Sequence, residues 1–248
     1  MLAIIGGRGL SQLANLEITH RQVMRTPYGE TSGAFLFGTL NQHEVIFLAR
    51  HGYGHTIPPH LVNYRANLWA LSEQGVDRVI SVATVGGIRP DLVPGTIVVP
   101  DQIIDYTHGR DSTFFDNRDG HYRNIDFTLP YNPQTRGHLL RSAAAVGESC
   151  VDGGVYAATQ GPRLDSCAEV NRYERDGADM IGMTGMPETA LAMELELRYA
   201  TLAVVVNYAA GRGDSQHGIS MEKINSTATA TMQKVRNILE RVVNSNGD

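Results

Sequence analysis

Residues able to grip an anion or a heterocycle recur in this chain at the ends of short apolar runs. "LAIIG" passes into Gly6-Gly7-Arg8-Gly9, "EVIFLA" into Arg50-His51, "DRVISVA" into Thr84-Val85-Gly86-Gly87, and "LAVVV" into Asn207. A glycine turn after a strand lets backbone amides approach an anion closely, although it also serves as a plain tight turn. Arginine beside histidine suits an oxyanion such as phosphate, because the guanidinium binds it as a fork; a structural ion pair would equally account for Arg50. In "MIGMTGMPE", Thr184 offers a hydroxyl just before a helix start whose amides could complete an anion site. The bland alternative is that Thr184 caps that helix and the methionines fill the core. Asn207 presents a donor and an acceptor to any planar partner, yet asparagine also closes strands as a turn residue. None of these signals is specific by itself.

The elements that must position them alternate along the chain. "AFLFGTL" and "EVIFLAR" read as a hairpin-like pair of strands, and "GTIVVPD", "GGVYAATQGP" and "TLAVVV" as further strands. "HLVNYRANLWALSEQG" places Leu61, Tyr64, Leu68 and Leu71 on one helical face and stops at Gly75. "TRGHLLRSAAAVG", "SCAEVNRYERDG" and "PETALAMELEL" are helical, the last with Pro187 in its first turn. The terminal helix lines up Met232, Val235, Ile238, Leu239 and Val242. The pattern predicts an α/β fold, a single domain over residues 1–248 with a mixed central β-sheet covered by helices. Ligands in such folds sit beyond the carboxyl ends of strands, where the polar landmarks fall. Residues 104–130 are polar and turn-rich, and so long an irregular segment in a compact domain is usually functional.

Composition narrows the classes. A net charge of −5 over 248 residues argues against a nucleic-acid partner. The N-terminus lacks the pattern of a signal peptide, no run approaches a membrane span, and the cytoplasm is the expected location. Cys150 and Cys167 have no metal-ligand spacing and read as free thiols. Nine histidines occur without HExxH or CxxC, so no metal site is expected. "GGRGL" is not GxGxxG, which leaves a nicotinamide dehydrogenase poorly supported. A non-enzymatic purine-binding module is a further rival.

Taken in order, "GGRGL … RHGYGHTIPPHLVNYRAN … VGGI … PGTIVVPDQIIDYTHGR … TFFD … TQGPR … GADMIGMTGMPE … NYAAG" resembles the trimeric purine nucleoside phosphorylases, with the methylthioadenosine phosphorylases as the nearest branch. The resemblance runs from residue 3 to about 240. It implies a homotrimer that cleaves the N-glycosidic bond of a purine nucleoside reversibly, with phosphate as nucleophile and co-substrate and no metal or organic cofactor. By position, Gly7, Arg8, Arg50, His51 and Thr184 match phosphate-binding segments, and Ala83 and Thr84 the loop between phosphate and sugar. Met183 matches a residue lying along the ribose. Leu164, Asp165 and Asn207 match the base pocket, and Met221 and Ile224 the 5′-substituent pocket. Residues 121–127 match a segment that completes a neighbouring subunit's 5′ pocket.

Departures from the family pattern bear on the substrate. Arg8 stands where a hydroxyl residue commonly meets phosphate, Ala83 replaces a hydroxyl residue with Thr84 beside it, and Leu164 replaces an aromatic flanking the base. Relatives that cleave 6-aminopurines carry aspartate at the Asn207 position and again two residues on, where this chain has Ala209. An asparagine amide can donate to N7 or O6 of a departing oxopurine as negative charge develops there. Asp165 falls where inosine- and guanosine-cleaving relatives accept the N1 proton. Those relatives place a histidine at the Met221 position for the 5′-hydroxyl, whereas Met221 with Ile224 makes an apolar patch. The residues therefore imply 5′-methylthioinosine as substrate, with methylthioadenosine or a general 6-oxopurine nucleoside as alternatives.

Overall fold

The computed structural model describes residues 1–7, 10, 15–116 and 122–245. Its strands follow the runs rich in Val, Ile and Leu, side chains that pack well on a pleated surface. In chain order they are β1 (Leu2–Gly6), β2 (Glu17–Gln22), β3 (Arg25–Thr26), β4 (Gly29–Glu30), β5 (Phe35–Leu40), β6 (His43–Ala49), β7 (Arg78–Gly87), β8 (Ile97–Val99), β9 (Gln102–Asp105), β10 (Cys150–Asp152), β11 (Val155–Ala158), β12 (Met180–Gly182) and β13 (Arg198–Tyr208). β3 and β4 form a small ribbon, and the other strands form one mixed sheet with the path β10-β8-β13-β7-β1-β6-β5-β2.

Strand alternation sorts the side chains into two layers of core. Leu2 and Ile4 of β1 face one side with Ala200, Leu202 and Val204 of β13. That side is covered by α2 (Pro133–Ala145) and α5 (Met221–Asn244), whose Met232, Val235, Ile238, Leu239 and Val242 are essentially inaccessible. Ala3 and Ile5 face the other side, under α1 (Tyr64–Glu73) and α4 (Glu188–Glu194). Helix α3 (Cys167–Arg175) packs Val170 and Tyr173 against Ala157 and Ile181.

The long strand β7 changes partner part-way along. It pairs in parallel with β1 through Ser81, and antiparallel with β12 from Gly86. β12 continues outward through β11 to β9. The sheet therefore parts beside Ala83 and Thr84, a switch in strand partner of the kind that opens a crevice for ligands.

Four expectations need correction. Thr84 to Gly87 do not follow a strand but lie within the end of β7, because Gly86 and Gly87 stay paired with β12 on one side and with Asn207 and Tyr208 on the other. The helix after "HTIPPH" begins at Tyr64 and not before: Leu61 lies in a 3₁₀ turn and is exposed. The reason is local, because Pro58 and Pro59 hold the approach while the Asn63 side chain caps the helix on the Ala66 amide. Pro187 is the N-cap of α4, one position earlier than its first turn. Asn207 does not end β13, which runs on to Tyr208 with a bulge between Val205 and Asn207. The bulge leaves Val206 without a partner on β7 and re-aims the strand where Asn207 lies beside Gly86.

Candidate functional site

A cavity of about 330 Å³ occupies the parting of the sheet. Strand ends supply most of its walls. Gly7 follows β1, Arg50 and His51 follow β6, Ala83 and Thr84 belong to β7, and Asn207 and Ala209 lie at the end of β13. Leu164 and Asp165 come from the segment ahead of α3, Met183 and Thr184 from the turn after β12, and Met221 and Ile224 from the first turn of α5. Every candidate contact residue that falls among the described residues thus lines one cavity. Arg8 lies outside the described residues, as does His121 of the segment 121–127.

Gly7 sits against the sheet so closely that a Cβ there would come 2.5 Å from the Val82 carbonyl, so the turn needs glycine on steric grounds alone. Arg50 lies beside it, completely buried. Its fork is not directed at the cavity: Nε donates to Glu188 Oε2 at 2.6 Å and Nη2 to Glu188 Oε1 at 2.9 Å. Nη2 also donates to Ser81, and Nη1 to the Val82 carbonyl at 3.0 Å. These partners leave one Nη1 hydrogen. Glu188 in turn accepts from Ser81 at 2.8 Å and from Tyr199 at 2.7 Å, so the buried carboxylate is satisfied on both oxygens. Burial works against the Arg50 charge, but the Glu188 carboxylate more than offsets it and the guanidinium stays protonated. The expected oxyanion fork is therefore corrected to a buried ion pair that fixes the guanidinium at the cavity wall.

His51 is pinned through Nδ1, 2.8 Å from the Ile57 carbonyl. A carbonyl can only accept, so Nδ1 carries the proton and Nε2 the lone pair. Burial, reinforced by the Arg50 charge, pushes its pKa down to about 4, and the ring is neutral at physiological pH. Two of the amides around Thr184 have partners of their own. The Thr184 amide faces the Tyr156 hydroxyl at 3.4 Å, Thr189 donates to the Gly185 carbonyl, and Pro187 has no N–H. What Thr184 can bring to the cavity is its side chain.

Asn207 directs Nδ2 to the Tyr208 carbonyl at 2.6 Å. That contact settles which end of the amide is nitrogen, since oxygen there would face a second acceptor. One N–H and Oδ1 are left for a ligand. Asp165 stands directly before Ser166, which opens α3 with a reciprocal capping box to Glu169. Burial raises the Asp165 pKa, with the Glu169 charge adding to the shift and the Tyr173 and Thr159 hydroxyls opposing it. Leu164 and Met221 are partly exposed at the cavity rim, while Ile224, one turn after Met221, is buried.

Sequence reasoning missed the residues behind this wall. Glu188 is visible in the sequence only as a helix-start carboxylate, though a buried arginine in "ARHG" requires an acid somewhere. Arg110, in the polar segment 104–130, donates to the Met183, Met186 and Gln160 carbonyls at 2.9, 2.6 and 2.8 Å and to Thr159 O at 3.2 Å. It ties the segment carrying Asp165 to the turn carrying Met183 and Thr184.

A family model described as "Phosphorylase superfamily" matches residues 2–244. The chain is 49% identical over 243 residues to a probable S-methyl-5′-thioinosine phosphorylase of Pseudomonas syringae pv. tomato, covering 98% of each. It is 46% identical over 215 residues to a 6-oxopurine nucleoside phosphorylase of Pyrococcus furiosus, 85% of this chain and 80% of that one. Among solved structures, the methylthioadenosine phosphorylase of Schistosoma mansoni in complex with adenine superposes with a TM-score of 0.92 at 29% identity, over 98% of this chain and 90% of the other.

Proposed function

The chain belongs to the phosphorylase superfamily, and we propose that it cleaves 5′-methylthioinosine with inorganic phosphate, giving hypoxanthine and 5-methylthioribose 1-phosphate. The observation that carries this reading is the pair Asn207 and Asp165 on one cavity, an amide with its nitrogen end held by Tyr208 and a carboxylate. A 6-oxopurine presents O6 and N7 as acceptors and N1–H as donor. The remaining N–H of Asn207 donates to one of the two acceptors, and Asp165 accepts from N1–H. The relatives of nearly 50% identity that carry the name methylthioinosine phosphorylase support the same substrate.

In the reaction so proposed, the C1′–N9 bond breaks with its electron pair moving into the purine, which takes one proton from solvent to leave as hypoxanthine, and an unprotonated phosphate oxygen forms the new bond to C1′. The remaining Arg50 hydrogen, Gly7, Thr84 and Thr184 hold phosphate below the sugar, contributing position and charge rather than a protein nucleophile. His51, with its lone pair at Nε2, accepts a hydrogen bond from the P–OH of monohydrogen phosphate, which keeps its proton and presents an unprotonated oxygen to C1′. Met183 lies along the ribose, and Leu164 and Ala209 wall the base. Met221 and Ile224 take the methylthio group, since their apolar side chains offer a 5′-hydroxyl no hydrogen-bond partner.

The enzyme is read as a cytoplasmic homotrimer without metal or organic cofactor. Free Cys150 and Cys167 agree with a reducing compartment. The exposed Tyr122 and Leu129, in and beside the segment 121–127, suit a subunit contact. A fully active monomer in sedimentation would remove that assembly.

The direct test incubates the protein with methylthioinosine, methylthioadenosine and inosine, each with and without phosphate, following base and sugar phosphate. Phosphate-dependent release fastest from methylthioinosine is expected. Faster release from methylthioadenosine would keep the phosphorylase and overturn the base reading.

A further inference from the structure

Asp165 is gripped from both oxygens. Tyr173, two turns into α3, donates its hydroxyl to Oδ1 at 3.2 Å, and Thr159, just after β11, directs its hydroxyl to Oδ2 at 3.3 Å, with the Gly182 carbonyl a second acceptor at 3.4 Å. Tyr173 is itself buried and held from behind by Tyr106, with ring centroids 4.5 Å apart; Tyr106 donates to Asp176 at 2.6 Å. The Tyr173 ring therefore has little freedom to release the carboxylate. The charged groups around Asp165 are Arg163, on its own segment, and Glu169, on α3. Arg163 is committed to Glu169 through two contacts at 2.6 and 2.8 Å, so the pair nearly cancels and neither replaces the hydroxyls.

Two hydroxyls donating to one carboxylate favour its ionised form and fix its plane, while partial burial favours the neutral acid. The two forms read different bases. A carboxylate accepts N1–H of a 6-oxopurine. A protonated carboxyl instead donates to the lone pair on N1 of a 6-aminopurine.

We propose that Tyr173 and Thr159 are positioning residues that hold Asp165 as an oriented carboxylate, so that the choice between 6-oxo and 6-amino purine becomes pH-dependent. This rests on the nucleoside reading above and deepens it: base preference belongs to a hydroxyl-clamped switch rather than to Asn207 alone. As pH falls, Asp165 takes up a proton and the advantage of the oxopurine shrinks. Removing one hydroxyl weakens the ionised form, and the crossover moves to higher pH.

The test measures kcat/KM for methylthioinosine and methylthioadenosine from pH 8 down to the lowest pH at which the enzyme stays folded and follows their ratio. Taking the ratio cancels the ionisation of phosphate and of His51, which both substrates share. In the unaltered enzyme the ratio is expected to fall toward acid pH. In Tyr173→Phe, which keeps the buried ring, the fall is expected to begin at higher pH. Loss of a hydrogen bond to a charged group corresponds to about ten- to a hundredfold in the governing equilibrium. Thr159→Val should move the ratio the same way and Thr159→Ser should restore it, whereas Asp165→Asn should flatten the profile. A ratio independent of pH in the unaltered enzyme, or the same midpoint in Tyr173→Phe, overturns the switch while leaving the phosphorylase intact. Absence of phosphate-dependent cleavage of methylthioinosine overturns the nucleoside reading itself.

Discussion

Arg50 and Glu188 meet edge to edge beneath the cavity, Nε to Oε2 at 2.6 Å, with both side chains about 1% exposed. They are 138 positions apart, and each would be a costly isolated charge in this interior. Breaking a buried pair by removing one partner costs about 3–5 kcal/mol. Glu188→Gln keeps the shape but leaves the Arg50 charge uncompensated. It is expected to lower the unfolding free energy by that order, with a matching fall in the denaturation midpoint, and to raise KM for phosphate more than KM for nucleoside. Chemical denaturation and two-substrate kinetics check both, and an unchanged midpoint would show that the pair is not what holds Arg50.

The contact between Asn207 and Tyr208 makes a prediction about base choice. In Asn207→Asp an oxygen would replace the nitrogen 2.6 Å from the Tyr208 carbonyl. Two acceptors cannot share that distance, so the carboxyl must rotate or keep a proton. The single substitution is expected to cut kcat/KM for methylthioinosine by about tenfold or more, as expected for losing a hydrogen bond that strengthens with developing charge. Adding Ala209→Asp should move the preference toward methylthioadenosine. If the double variant keeps the parent's ratio of kcat/KM values, Asn207 does not read position 6.

His51 links the site to stability. Its folded pKa, about 4, lies below the ordinary value of 6.5, so the unfolded chain binds the proton more readily. Stability from this group is complete above about pH 6.5 and is lost as pH falls toward 4. The loss amounts to ~3 kcal/mol at most. His138, also held below its ordinary value by burial and neighbouring arginines, acts in the same direction. Urea midpoints of the parent and His51→Gln between pH 4 and 7 should therefore diverge, the variant losing less on acidification. Parallel curves would mean that His51 takes up its proton as readily in the native protein as in the unfolded chain.

How much of this is legible in the sequence depends on the range of the interaction. "LAIIG" and "TLAVVV" announce buried strands, and the polar residues after them fall at strand ends because an apolar run stops where burial stops. The same pattern places Gly7, Arg50, Thr84 and Asn207 on one rim. The bulge at Val206 is not legible, since it is a property of register between β13 and β7 and leaves no mark in composition. Nor are the partners of Arg50 and Asp165. Glu188 and Tyr173 are ordinary helix residues until the fold brings one beneath β6 and turns the other back on the start of its own helix. Arg110 sits in a segment readable only as irregular, although its guanidinium saturates carbonyls of two loops at once.

The tail of the substrate supplies the last prediction. Met221 is the first residue of α5 and Ile224 lies one turn on, so both side chains leave the same helical face toward the cavity. Ser220 caps this turn on the Lys223 amide, which holds Met221 in place without using its side chain. Met221 is 48% exposed, so a polar replacement there need not be buried or disturb the core. In Met221→His the imidazole can meet a 5′-hydroxyl, and the apolar surface offered to a methylthio group is reduced. Inosine should gain against methylthioinosine by about ten- to a hundredfold in relative kcat/KM. The gain should come from both directions, a better inosine and a poorer methylthioinosine, with the dependence on phosphate unaltered because Arg50 and Thr184 are untouched. If the two nucleosides keep their order and their spacing, the 5′ group does not lie against Met221, and the apolar patch must take another part of the substrate.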